Sequence, residues 1–164
     1  MKQVKIQELN LENFAKYGAF SNMLNPNWSK LGQEPCEFYR DMNILDLGGG
    51  SSVAFSVTRV CERLKVVDVL EFHTSTGEGI LPLDGDIVMQ LAVATQKPVP
   101  PIDMVEAYRV PKGTMVMLRP GVWHGGPFTA GTKCVNILIA LPERAYANDC
   151  TIVELLPENV IELI

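Results

Sequence analysis

Chemistry in this chain must pass through very few imidazoles. It has two histidines, His73 and His124. His73 lies in Glu71-Phe72-His73-Thr74-Ser75-Thr76-Gly77-Glu78. In an extended strand, residues two apart face the same side, so Glu71 and His73 point together into one space. Glu78 follows a glycine-containing turn and folds back beside them. His124 lies in Arg119-Pro120-Gly121-Val122-Trp123-His124, after an apolar run and a Pro-Gly turn that aims it from a neighbouring strand. Two imidazoles with one or two carboxylates suit a divalent transition metal with open positions for a substrate. His73, His124, Glu78 and Glu71 are the candidate ligands, and Zn, Ni, Mn and Fe all fit that donor set. Without a metal, Glu78, Glu71 and His124 form an acid–base group. The plainer alternative is two ordinary histidines, one half-buried and one in a loop.

These residues need strands to hold them, and the pattern from residue 42 onward is β. Alternating or short apolar runs predict strands at 43–47, 53–60, 66–72, 80–83, 86–94, 104–110, 114–118, 133–141 and 151–156. Gly48-Gly49-Gly50-Ser51-Ser52 reads as a hairpin turn, since no Gly-Lys-Ser/Thr follows to make a phosphate loop. Asp84-Gly85 has the signature of a tight hairpin. One early helix is expected from Leu11, Phe14, Ala15 and Tyr17, capped by Asn10 or Asn13 and ended by Gly18. Residues 19–43 read as irregular. Many short strands between turns predict an all-β sandwich or barrel.

Composition bounds the rest. The chain has 164 residues, 47% of them hydrophobic and 20% charged, which suits one domain spanning 1–164 with its own core. Lys plus Arg is 14 and Asp plus Glu is 19, a net charge of −5. No basic footprint exists for nucleic acid or an anionic membrane surface, so neither is an expected partner. No apolar run reaches the length of about 18 residues that a spanning helix needs. The opening MKQVKIQELN holds no signal-peptide core, so a cytoplasmic location is expected. Cys36, Cys61, Cys134 and Cys150 form no CxxC pair, and free, mostly buried thiols are expected.

The spacing Glu71-x-His73-x4-Glu78-x6-Gly85, followed by Pro120-Gly121-Val122-Trp123-His124, resembles the cupin double motif, with Glu71 in place of the first histidine. The resemblance implies a double-stranded β-helix, a jelly-roll barrel with its site in the mouth, here with a short N-terminal helix. The whole chain is further similar to the ureidoglycolate lyase family. Leu11 to Gly18 looks like that family's opening helix, and Gly121-Val122-Trp123-His124 like its Trp-His signature. Glu143-Arg144, Asn148-Asp149-Cys150 and Leu156-Pro157-Glu158 look like its later positions. Departures lie near the site: Gly125, Gly126 and Pro127 stand where the family has a second His and Pro. Glu78 replaces a Gln or similar residue, and Leu118 replaces a Tyr.

The resemblance implies cleavage of (S)-ureidoglycolate, a small carboxylate, to glyoxylate and urea in allantoin and purine catabolism, by a homodimer. Arg59 and Arg119 are the candidate carboxylate-binding residues, and Trp123 a candidate wall of the barrel mouth. Two other readings stay open. One is a different metal-dependent cupin enzyme, an isomerase or dioxygenase of small acids or sugars. The other is a non-catalytic cupin that binds a small metabolite.

Overall fold

The computed structural model describes residues 1–164. In chain order, β1 (Lys2–Val4) and β2 (Ile6–Glu8) precede a short helix α1 (Leu11–Phe14), followed by β3 (Gly18–Asn22), β4 (Lys30–Gln33) and β5 (Cys36–Tyr39). The middle of the chain forms β6 (Val53–Cys61), β7 (Val66–Val67), β8 (Val69–Phe72), β9 (Glu78–Pro82) and β10 (Ile87–Leu91). Then come β11 (Glu106–Val110), β12 (Thr114–Leu118), β13 (Phe128–Thr129) and β14 (Cys134–Pro142). A second short helix α2 (Ala145–Asn148), β15 (Thr151–Glu154) and β16 (Ile161–Leu163) complete it.

Two sheets make the barrel. One has the order β3-β12-β9-β14-β6 and the other β13-β10-β11-β2. Single bridges, Ala92 to Trp123 and Glu71 to His124, extend the second sheet to the β8–β15 pair. The inner core lies between the sheets. Ile87, Met89 and Leu91 of β10 meet Ile80, Val116, Val135 and Ile137 of the opposite wall there. The alternate β10 residue Val88 faces outward with Ala92 and Trp123, and joins a second core closed by Val4, Val67, Ile161 and Leu163. β10 is therefore buried on both faces, which explains its continuous apolar run. The expected all-β jelly roll with a short N-terminal helix is the observed architecture.

Several local expectations change. The helix stops after one turn, capped by Asn10 through Asn13 N–H. Residues beyond it pack as an aromatic cluster in which Phe14 meets Tyr17, Phe20 and Tyr108 edge to face. The segment read as irregular contains β3, β4 and β5. Residues 43–47 form no strand, because the Asp46 carbonyl turns to accept Gly77 N–H and Thr76 Oγ1–H instead. Asp84-Gly85 is no hairpin: β9 and β10 belong to opposite sheets, so the turn carries the chain across the barrel. There Asp84 accepts two hydrogen bonds from Asn136. The expectation of free, buried thiols is corrected as well. Cys61 and Cys134 stand directly opposite in the β6–β14 register and form a disulfide. Free Cys36 is exposed and free Cys150 only half-buried. No helix is long and apolar enough to cross a membrane.

One half-buried polar cluster ties the chain just after α1 to β11. Glu106 accepts hydrogen bonds from Lys16 (2.7 Å), Tyr17 (2.8 Å) and Tyr108 (2.5 Å). Burial pushes its carboxyl up, but the bonds from Lys16, Tyr108 and Tyr17 outweigh burial and hold it below its ordinary value. Such a group stabilises the fold fully above its unfolded pKa, and loses that contribution as pH falls through the lower folded one. Glu106→Ala is expected to cost about 1.5–3 kcal/mol at neutral pH. Urea unfolding at neutral and acid pH checks this. The gap to wild type should close on acidification, and a gap independent of pH contradicts the assignment.

Candidate functional site

The bridge between Glu71 and His124 fixes the site. Glu71 N–H donates to the His124 carbonyl (2.7 Å), and His124 N–H to the Glu71 carbonyl (2.9 Å). Gly121 N–H binds the His73 carbonyl at 2.7 Å, so the Pro-Gly turn is pinned to the other histidine. Gly77 lets β9 start close by, since a Cβ there would lie 2.5 Å from the Leu118 carbonyl oxygen. Glu78, the first residue of β9, then enters between the two imidazoles.

His73, Glu78 and His124 are all buried, and one ligand atom of each lies within 4.8 Å of the others. His124 Nε2 is 2.7 Å from Glu78 Oε2, and His73 Nε2 is 3.6 Å from the same oxygen. Each Nδ1 points away and meets a carbonyl: His73 meets Asp149 at 2.6 Å, and His124 meets Val122 at 2.9 Å. A carbonyl only accepts, so each Nδ1 carries a proton and each Nε2 is left to face the carboxylate. Burial disfavours a charged His124, but Glu78 outweighs it and pushes the imidazole up to about 9. Burial likewise opposes ionisation of Glu78, and His124 and His73 overcome it, holding the carboxyl down to about 2.

This donor set fits a divalent transition metal. Glu78 Oε2 and His124 Nε2 face each other as an ion pair at 2.7 Å, yet neither buried atom has a hydrogen-bond partner. Buried atoms without hydrogen bonds that converge with a second imidazole, both rings held by carbonyls behind them, have the form of a metal-binding group with its supporting shell.

Glu71 stands at the rim. Its side chain is about a third exposed, its Oε1 lies 3.9 Å from His124 Nε2, and its Oε2 accepts from Cys150 Sγ at 3.3 Å. Burial and Glu71 push the Cys150 thiol up to about 12, so it is a neutral donor and no nucleophile. In front lies a cavity of about 220 Å³, to which Ser56 and Thr58 of β6, Arg144 and Tyr146 also contribute.

Three expected site residues lie elsewhere. Arg59 is on β6 but on the face opposite Ser56 and Thr58, because side chains alternate along a strand. Arg119 does not line the cavity; its Nη1 donates to the Ala15 carbonyl at 2.7 Å. Trp123 is wholly buried in the outer core and is no wall of the mouth. Its ring packs on Phe72 at 4.5 Å and its Nε1 donates to Thr95 at 2.9 Å. With His124 facing inward, its neighbour must face out. Arg144, Tyr146, Ser56 and Thr58 were not singled out as site residues. The sequence signal for the first was Glu143-Arg144, whose return to the barrel mouth no local pattern encodes.

A two-sheet jelly roll with histidines and a glutamate from adjoining strands at its open end defines the molecule as a cupin. The chain belongs to the ureidoglycolate lyase family, whose model matches residues 1–162. A comparison with curated protein sequences gave no match. Solved structures with similar folds include Bacillus subtilis oxalate decarboxylase, at 16% identity and a TM-score of 0.44, covering 63% of this chain and 24% of that one. Peruvianin-I, a cysteine peptidase from Thevetia peruviana latex, is 12% identical with a TM-score of 0.46 over 63% of this chain and 57% of that one. Hydroxypropylphosphonic acid epoxidase from S. wedmorenis is 17% identical with a TM-score of 0.39 over 55% and 43%. The chain thus spans about a quarter of the oxalate decarboxylase.

No other imidazole replaces His124. His124→Ala takes away the nearest partner of the buried Glu78 carboxylate, so it is expected to lower stability as well as turnover, the latter on the order of 10²–10⁴-fold when assayed where circular dichroism shows the variant folded. Unchanged turnover would remove this cluster from the chemistry.

Proposed function

We propose that this protein cleaves (S)-ureidoglycolate to glyoxylate and urea. The match of the family over residues 1–162 carries the reading. The site supplies what the reaction demands. The reacting carbon bears a hydroxyl, a carboxylate and a ureido group. A base must remove the hydroxyl proton, and an acid must protonate the departing ureido nitrogen.

Glu71 is suited to both tasks, because it reaches the cavity from the rim and lies outside the buried cluster. Its carboxylate takes the hydroxyl proton as the carbon–oxygen bond becomes the aldehyde of glyoxylate. The carbon–nitrogen bond breaks, and the same proton passes to the nitrogen of urea. The Cys150 thiol holds the Glu71 carboxylate in orientation. Arg144 is the cation in the cavity lining and takes the substrate carboxylate through its planar fork. It sits in the left-handed region at φ 63° and ψ 20°, at the entry to α2. Tyr146 beside it narrows the mouth, and the Ser56 and Thr58 hydroxyls offer bonds to the ureido group. His73, Glu78 and His124 would hold a divalent metal, which supplies Lewis-acid polarisation of the substrate hydroxyl and carboxylate. The reaction belongs to purine-nitrogen breakdown at its urea-releasing end.

The same reading includes a homodimer. β6 is an edge strand with Phe55 and Val57 mostly exposed, and the β4–β5 hairpin presents exposed Leu31 and Phe38. Unpaired edges and apolar surface of this kind are commonly covered by a partner.

Purified protein incubated with racemic ureidoglycolate should release glyoxylate and urea in equal amounts and consume one enantiomer. No release, with or without added Ni, Zn, Mn or Fe, overturns the reading. Arg144→Ala should raise KM at least tenfold with a smaller change in kcat, as expected when ground-state and transition-state binding are lost together. Light scattering should give about twice 18.1 kDa, and the single-chain mass removes the dimer.

A further inference from the structure

The segment that closes the cavity is followed directly by the β15–β8 pair and bonds Glu71 through Cys150, and its strongest side-chain mooring is a carboxylate. Asp149 Oδ1 accepts Thr74 N–H at 2.8 Å, and Oδ2 accepts Ser75 N–H at 2.9 Å and Thr76 N–H at 3.1 Å. Three successive backbone donors make a concave nest for a carboxylate, with charge-assisted bonds. The loop so gripped is the one between His73 and Glu78. The main chain of the same residue reaches His73 itself, whose Nδ1–H donates to the Asp149 carbonyl at 2.6 Å. Cys150, which donates to Glu71, is its neighbour, and Arg144 and Tyr146 lie a few residues upstream.

We propose that Asp149 is the positioning residue of this site: through its carboxylate it docks the Arg144–Cys150 segment on the 74–76 loop, and through its carbonyl it fixes the His73 ring. One residue thereby sets two properties that are usually separate. The Nδ1–H bond to the carbonyl raises the basicity of His73 Nε2 and aims it at the cluster. The carboxylate grip places Arg144 over the cavity. Loss of the carboxylate leaves the carbonyl in the chain, held by the Asp149 N–H bond to Ala145 and the β15–β8 pair, but loosens its presentation, so both properties weaken together.

The inference rests on the reading of His73 as a ligand and Arg144 as the carboxylate anchor. Its test is read on wild type, Asp149→Ala and Asp149→Asn in three ways. The first is the downfield Nδ1 proton of each imidazole in metal-free protein. Two histidines give two signals, and His124, bonded to Val122, is the internal reference. In Asp149→Ala the His73 signal should broaden or vanish while that of His124 stays. The second is zinc titrated into metal-free protein, where affinity should fall about 10–100-fold. The third is KM for ureidoglycolate, which should rise. Asp149→Asn keeps one acceptor oxygen in the nest and should fall between wild type and Ala in all three.

An unchanged His73 signal in Asp149→Ala, with zinc affinity and KM within twofold of wild type, overturns the proposal. If Asp149→Ala does not fold, Asp149→Asn is decisive, and an unchanged His73 signal there overturns it equally. Wild-type protein that takes up no zinc refutes the ligand reading alone, because the imidazole signal in metal-free protein still judges the mooring.

Discussion

A carboxylate buried between two imidazoles is the constraint that orders the rest of this molecule. An ionised group taken out of water unpaired would be prohibitively costly, so Glu78 is tenable only with His124 and His73 against it. Those rings, in turn, must hold their Nε2 atoms toward it, which requires a carbonyl behind each Nδ1. One carbonyl comes from Val122, two residues before His124. The other comes from Asp149, across the barrel mouth. The fold thus brings together three stretches of chain that are remote in sequence, and the bridge between Glu71 and His124 is the seam at which they meet.

The seam also accounts for a departure from the family pattern. A side chain at residue 125 would place its Cβ 2.7 Å from Gln90 Nε2 and 2.9 Å from the Val69 carbonyl oxygen. The backbone here passes too near β8 and β10 for a second histidine, and Gln90 fills the space instead. Its change to Gly125 follows from outer-layer packing rather than from the chemistry of the inward-facing cluster. Glu78 differs in kind, since it lies inside that cluster.

Much of the centre was legible because it is local. Two residues apart on a strand means one face, and Gly77 means a return, so His73, Glu71 and Glu78 could be grouped from spacing alone. His124 followed from the Pro-Gly turn. The arginines were not legible. Arg59 was placed by its strand without knowledge of which face looks inward, and Arg119 by its nearness in sequence to the turn. Arg144 reaches the mouth by a route set by β14 and the turn after it. Register likewise hides from composition: the bond between Cys61 and Cys134 depends on β6 and β14 pairing residue for residue over their whole length. The strands missed are β1 to β5, β13 and β16: β3 to β5 lie among turn residues whose signals outweighed short apolar runs, and the others are two or three residues long, too short to show a period.

The sheet containing β10 acts as a partition, with one apolar compartment inside the barrel and another behind it. His124 and Trp123 are adjacent residues that belong to different sides of that wall. Val4, Val67, Ile161 and Leu163 belong to the outer compartment alone, where substitutions that keep the volume are best tolerated. The exception is the Trp123 ring, wedged between Phe72 and its bond to Thr95. It steadies the backbone of His124 from behind, so a lineage that remodels the back of the wall around it would retune the front without altering any residue that touches a substrate.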